Sequence, residues 1–290
     1  MPNEPTLTKT TTPVFELEHV SFAYDGKQMA LEDVSLSIQP GTRVAVLGSN
    51  GSGKSTLLKL LDGLYFASAG VVKAFGQPLS ETAFNDDAFN FAFRQRVGLV
   101  FQDTDVQLFS PSVWDEIAFA PLQMDLTRAE VDTRVDAALR ALRIEKLRER
   151  APHRLSGGEK RRVALASVLT LQPSVWLLDE PTSGLDPRSQ SWLVDFLVDQ
   201  GRAGKTVVTA THDLSIVDAI ADCVFVFDES HHLVAQGTPA EILGNRDLLL
   251  ACNLSHDHLH RHDTTGEEHA HPHLHPLAHS HDHAEHSAAG

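Results

Sequence analysis

Gly48-Ser49-Asn50-Gly51-Ser52-Gly53-Lys54-Ser55-Thr56 decides how this chain is read. It matches G-x-x-x-x-G-K-[ST]. The apolar run Arg43-Val44-Ala45-Val46-Leu47 precedes it, and Leu57 to Gly63 follows with helical spacing and a glycine stop. Strand, glycine-rich loop and helix together make a phosphate site. The glycines let backbone N–H groups close around phosphate oxygens, and the helix N-terminus adds its positive dipole end. Lys54 is then expected to reach the β- and γ-phosphates and Ser55 to hold Mg²⁺.

Around this loop the pattern alternates strands and helices. Phe15, Leu17, Val20 and Phe22 alternate with polar residues, as do Val34, Leu36 and Ile38, with a turn at Tyr24-Asp25-Gly26 between them. Short apolar runs at 71–75, 97–101, 174–178, 206–210, 223–227 and 232–236 read as strands. Helices are expected at 113–120, 127–144, 156–171, 187–200, 214–221 and 238–243, the second opened by the capping box Thr127-x-x-Glu130. Phe84, Phe89, Phe91 and Phe93 have no assigned role beyond packing. The fold class is α/β, with a largely parallel sheet and an antiparallel patch from the first strands.

Several polar groups follow strands, at the edge where open α/β sheets bind ligands. Asp179-Glu180 places one carboxylate where it can join a Mg²⁺ shell and a second where it can orient or deprotonate water. Gln102 can bind Mg²⁺ or water, and His212 can donate to a terminal phosphate. Leu155-Ser156-Gly157-Gly158-Glu159 combines a capping box with a glycine-opened helix N-terminus. A second anion device about a hundred residues from the first suits a nucleotide held between two chains.

The 290 residues are 42% hydrophobic and carry a formal charge of −15, which argues against a nucleic-acid groove. Cys223 and Cys252 make neither a disulfide framework nor a metal-ligand spacing, which fits a reducing cytosol. Residues 1–13 read as a disordered lead-in without a signal-peptide core. No apolar run reaches membrane-spanning length, so any service to a membrane passes through a partner.

Taken together, Gly48 to Thr56, Gln102, Leu155 to Glu159, Leu177 to Glu180, Ser183-Gly184-Leu185-Asp186 and His212 resemble the ATPases of ABC transporters in order and spacing. The resemblance covers roughly residues 14–245. It implies a P-loop NTPase fold with a RecA-like parallel core, an antiparallel β patch and a helical signature subdomain at about 103–172. It further implies that Tyr24 stacks on adenine, and that Lys54, Ser55 and Thr56 bind phosphates and Mg²⁺. Gln102 would sense the γ-phosphate and couple to a membrane subunit. Ser156, Gly157 and Gly158 would bind the nucleotide of an opposing subunit, across an interface that includes Asp186. Asp179 would support Mg²⁺, Glu180 would be the catalytic carboxylate, and His212 the switch histidine. The expected cofactors are ATP and Mg²⁺. The expected partners are a second ATPase subunit, identical or paralogous, and transmembrane permease subunits at the cytoplasmic face of the membrane. Phe101-Gln102-Asp103-Thr104-Asp105-Val106-Gln107-Leu108-Phe109-Ser110-Pro111 and Ala118 to Leu122 resemble the energy-coupling-factor branch, which includes cobalt and nickel importers. Thr104 departs from that branch, where Pro is common.

Residues 246–290 are expected to be a linker and a disordered tail holding twelve of the seventeen histidines. His256, His258, His260 and His262, then His269, His271, His273 and His275, then His279, His281 and His283 repeat His-x-His. Neutral imidazoles suit Ni²⁺, Co²⁺ or Zn²⁺. A transition-metal cargo follows from the tail and the branch resemblance; a vitamin or other small solute, with the tail a metal buffer, is the alternative.

Overall fold

The computed structural model of the chain describes residues 12–261 and 268–273. In chain order it runs β1 (Phe15–Tyr24), β2 (Gln28–Ile38), β3 (Arg43–Leu47), α1 (Lys54–Leu61), β4 (Ala69–Ala74), β5 (Gln77–Pro78), α2 (Glu81–Phe84), α3 (Asp87–Arg96), β6 (Val97–Val100), α4 (Val113–Leu122) and α5 (Arg128–Ala141). It continues with α6 (Gly157–Leu169), β7 (Val175–Asp179), α7 (Pro187–Arg202), β8 (Thr206–Thr211), α8 (Val217–Ile220), β9 (Cys223–Phe227), β10 (Leu233–Gly237), α9 (Pro239–Leu243), α10 (Arg246–Ala251), β11 (His256–Arg261) and β12 (Glu268–His273).

The central sheet has the order β10-β9-β3-β8-β7-β6, parallel except for β10. Side chains of its inner strands alternate between two cores, as a strand's period of two requires. Val44 and Val46 of β3, Val175 and Leu177 of β7, and Phe225 and Phe227 of β9 pack with α1 and the antiparallel sheet. Ala45 and Leu47, Trp176 and Leu178, and Val224 and Val226 point the other way, into the core shared with α4 to α8. Burial on both faces explains why these strands read as unbroken apolar runs.

The second sheet, β2-β1-β4-β5, is antiparallel. The β1–β2 connection, residues 25–27, has Asp25 at φ 51° and Gly26 at φ 64°, both left-handed, and the Lys27 N–H donates to the Tyr24 carbonyl at 3.0 Å to close the turn. The sequence places the start of β2 at Asp33, five residues late. His19 and Asp33 both have left-handed backbones, the pairing register shifts there, and the broken alternation hides the first half of the strand.

α5 stops at Ala141, before the expected Ile144, because Arg143 adopts φ 56°. The stretch expected as one helix from Leu214 is a 3₁₀ turn followed by the single-turn α8. Both predicted capping boxes are present: Thr127 with Glu130, and Ser156 with Glu159. Phe84, Phe89 and Phe93 form a ring cluster with centroids 5.1 to 6.2 Å apart, whereas Phe91 is exposed.

The boundary at residue 246 needs correction. α10 continues the body, and Leu249, Cys252 and Leu254 are buried in the core that contains α8 and α9. The sequence reading ends the body at 245 and expects a linker from there, but three apolar side chains spaced along 249–254 close the fold. The tail also departs from expectation in its backbone: β11 pairs with β12, with His256 opposite His273, His258 opposite His271 and His260 opposite His269. His-x-His has the period of a strand, a signal that reading the segment by composition passes over. The expectations for His262, His275, His279, His281 and His283 lie outside the described residues.

Candidate active site

β3 delivers the glycine-rich loop to the C-terminal edge of the parallel sheet, and α1 leaves from it. Two of its glycines are fixed by close approach. A Cβ on Gly53, whose φ is 103°, would lie 2.1 Å from the Ala30 carbonyl oxygen, and one on Gly48 would lie 2.3 Å from Ser52 Oγ. The hydroxyls of Ser49 and Ser52 are buried with no hydrogen-bond partner. Buried polar groups are normally satisfied, so unpartnered hydroxyls in a glycine-rich cradle fit an anionic ligand.

Lys54, at the start of α1, is buried. Its Nζ donates to the carbonyls of Gly48 at 2.8 Å and Ser49 at 3.0 Å, and lies 3.6 Å from Glu180 Oε1. Burial lowers the lysine's pKa, while the Glu180 and Asp179 charges oppose that shift. Ser55 Oγ donates to Asp179 Oδ1 at 3.0 Å. Burial raises the Asp179 pKa, and the Ser55 hydroxyl offsets it in part. A hydroxyl and a carboxylate already in contact beside the phosphate loop are a donor set suited to Mg²⁺, a hard cation that takes oxygen ligands.

Glu180 follows β7 directly. Its N–H donates to the Ala210 carbonyl at 2.9 Å, and its backbone takes φ 42°. A non-glycine residue held there is strained, and such strain clusters at functional sites. Its Oε1 lies 2.9 Å from Nδ1 of His212, which follows β8 and is half-exposed. Neighbouring strands thus bring together Lys54, Ser55, Asp179, Glu180 and His212, far apart in sequence. Tyr24, Asn50, Gly51, Gly53, Lys54, Ser55, Thr56, Gln102 and Glu180 line one cavity of about 420 Å³. The Tyr24 hydroxyl pairs with Thr56 Oγ1 at 2.9 Å, and its ring meets Phe22 and Tyr65 edge-on. A second cavity of about 460 Å³ is bordered by Glu180, Ser183, His212, Asn253 and Leu254, so the end of the folded body lies beside the carboxylate.

The signature residues are not gathered into this site. Leu155 is buried in the core that holds α6, while Ser156 and Gly157 are exposed at the N-terminus of that helix. Glu159 accepts from the Ser156 N–H at 2.8 Å and from its hydroxyl at 2.9 Å, which lowers the carboxyl's pKa. Gly158 sits against Ser189. Asp186 caps α7, accepting from the N–H groups of Arg188 and Ser189 and the Ser189 hydroxyl, which holds its pKa down.

Two residues that sequence reasoning passes over belong to this region. Arg161 is buried, and its guanidinium donates to the carbonyls of Phe101 at 2.6 Å and Gln102 at 2.8 Å, fastening the Gln102 loop to α6. The available signal is an arginine three residues after the Gly157-Gly158 pair, in the first turns of α6. Glu116, also buried, accepts from the N–H groups of Phe109 and Ser110 and shapes the same loop from α4.

The chain matches the sequence profile of the ABC transporter family over residues 31–183. It is 50% identical over 246 residues to the nickel import ATP-binding protein NikO of Rhodobacter capsulatus, covering 84% of this chain and 96% of that one. Among solved structures it is similar to cbiO1 of Clostridium perfringens, part of the ABC transporter complex cbiONQ, with TM-score 0.71 and 36% identity over 84% of this chain and 95% of that one. It is also similar to MJ0796, an ATP-binding cassette in a dimeric post-hydrolysis state with ADP and phosphate, with TM-score 0.70 and 26% identity over 78% and 98% of the two chains. Fold, phosphate loop and these matches agree: the chain belongs to the ABC transporter family.

Proposed function

We propose that the chain is the ATP-hydrolysing subunit of an energy-coupling-factor-type importer that powers uptake of a transition metal, nickel or cobalt. The observation that carries the ATPase part is the convergence of Lys54, the Ser55–Asp179 contact and the Glu180–His212 contact on one sheet edge. In this reading Lys54 leaves the loop carbonyls for the β- and γ-phosphates, and the loop N–H groups and the Ser49 and Ser52 hydroxyls take the remaining oxygens. Ser55, Asp179 and Gln102 would hold Mg²⁺, which when bound would supply charge neutralisation at the phosphates. Glu180 accepts the proton of the attacking water, and His212 holds that carboxylate in place.

The exposed Ser156 and Gly157 complete the site of an opposing ATPase subunit, with Asp186 near that interface. Two observations support this: the signature helix end is capped yet open to solvent, and MJ0796, a similar fold, forms a nucleotide-bound dimer. Among the described residues no helix is long and apolar enough to cross a membrane. A groove of about 650 Å³ bordered by the exposed Leu64, Phe91 and Phe119 supports docking of a permease subunit, which would hold the chain peripherally at the cytoplasmic face.

The metal cargo rests on the likeness to the nickel import protein and on the histidine-rich tail, whose imidazoles we propose bind Ni²⁺, Co²⁺ or Zn²⁺. The test is accumulation of radiolabelled nickel and cobalt in cells whose only copy of the chain carries Lys54→Ala. Loss of uptake of either metal supports the proposal. Normal uptake of both, with loss of a vitamin or other solute, overturns the metal cargo and leaves the ATPase.

A further inference from the structure

We infer that His231 is a further nucleotide-contacting residue, one that meets the nucleoside half of the bound nucleotide; this rests on the nucleotide reading above. His231 lines the same cavity as Tyr24 and Lys54, although it comes from the turn between β9 and β10, outside every motif of the phosphate site. The turn is well fixed. The His231 N–H donates to the Asp228 carbonyl at 3.2 Å, and the Asp228 N–H to the His232 carbonyl at 3.1 Å. The His231 carbonyl accepts from the Glu32 N–H at 3.1 Å, which ties the turn to β2.

The backbone at His231 takes φ 69°, an uncommon conformation for a residue with a side chain. Its Nδ1 is buried and has no hydrogen-bond partner. A left-handed backbone that sets an imidazole at a cavity wall, with a covered ring nitrogen left unsatisfied, has the marks of a ligand contact.

The position within the cavity indicates which part of the ligand it meets. Loop residues between Asn50 and Thr56 form the phosphate side, together with Glu180, 3.6 Å from Lys54, and Gln102, both already given roles at the phosphates; the remaining wall comes from Tyr24, from Gln28, Met29 and Ala30 of β2, and from His231. The glycine-rich loop recognises phosphate only. On the remaining wall the Tyr24 hydroxyl is engaged by Thr56, and Met29 and Ala30 offer no polar side chain. That leaves the Gln28 amide, on an exposed residue, and the His231 imidazole, anchored through its own backbone. A preorganised group loses less entropy on binding, so the imidazole is the favoured partner for a ribose hydroxyl or a base nitrogen.

Calorimetry on the full chain with Mg-ATP and with Mg-tripolyphosphate separates a nucleoside contact from a phosphate contact. One lost hydrogen bond of ordinary strength is a loss of about threefold to tenfold in affinity. We expect His231→Ala and His231→Asn each to weaken Mg-ATP by that factor and to leave tripolyphosphate within about twofold. Asparagine tolerates a left-handed backbone, so a loss shared by both variants, with unchanged melting temperature, assigns the effect to the ring and not to the turn. Unchanged ATP affinity, or a parallel loss for both ligands, overturns the inference. Wild-type protein that binds tripolyphosphate but not ATP overturns it too, and wild-type protein that binds neither overturns the nucleotide reading itself.

Discussion

The ammonium of Lys54 stands 3.6 Å from the carboxylate of Glu180 while donating to two carbonyls of its own loop. The chain therefore holds its proposed phosphate-binding cation and its proposed proton acceptor against each other. Both groups are buried, and each lessens the cost of burying the other. A triphosphate would replace the loop carbonyls as the partner of Lys54 and free Glu180 for water.

Lys54→Ala should therefore lose ATP affinity by about tenfold to a hundredfold, as expected for a charge-assisted hydrogen bond worth about 1.5–3 kcal/mol. Equilibrium binding of a fluorescent ATP analogue checks this. Affinity within twofold of wild type would remove Lys54 from the phosphate site.

A second pair lies where α1 ends. Asp62 is buried there, and Arg94 donates to its carboxylate at 2.8 Å and to its carbonyl at 2.7 Å. Burial pushes the carboxyl up to about 7, against the opposing charge and hydrogen bond of Arg94. The folded chain then holds this proton more tightly than the unfolded chain, whose value is near about 4. The carboxyl's contribution to stability is full below about pH 4 and is lost as pH rises through about 7. Asp62→Asn cannot ionise, so it should gain stability relative to wild type across that window, with the difference levelling above about pH 8. Urea midpoints measured for both proteins at a series of pH values check the sign. A difference independent of pH would mean that Asp62 is ionised throughout.

The end of the body supplies a third prediction. A chain cut after Ser255 should keep the melting temperature and basal ATP hydrolysis of the full chain. A chain cut after Asn245 loses the buried Leu249, Cys252 and Leu254, and a buried leucine is worth about 2–5 kcal/mol. Its melting temperature should fall by many degrees, and its ATPase activity should fall as well, because Asn253 and Leu254 border the cavity beside Glu180. Thermal scans of the two truncations decide the boundary. Equal melting temperatures would restore the linker expected from sequence.

The phosphate loop, Asp179-Glu180 and His212 are legible in sequence because each is a polar group at the end of an apolar strand, and a parallel sheet carries all such ends to one edge. The two capping boxes are legible because their partners are three residues apart. What stays hidden depends on approach through space. The first half of β2 is masked by paired left-handed residues at His19 and Asp33. Arg161 works on carbonyls about sixty residues away, and His231 reaches the cavity only because its turn is tied to Glu32. α10 escapes notice because it is six residues long and follows Gly244-Asn245, so its run Leu248-Leu249-Leu250-Ala251 reads as part of a linker ahead of the histidine-rich segment.

Glu180 is proposed to drive ATP hydrolysis in a site completed by a second chain. The most direct measurement is single-turnover hydrolysis of Mg-ATP by wild type and Glu180→Gln, with sedimentation of the same samples. Loss of a general base costs about 10²–10⁴-fold, so the variant should bind ATP, hydrolyse it slower by that factor and sediment as an ATP-dependent dimer. Hydrolysis near the wild-type rate in the variant would remove Glu180 from the chemistry, and full activity from a strictly monomeric wild-type chain would rule out a site shared between two chains.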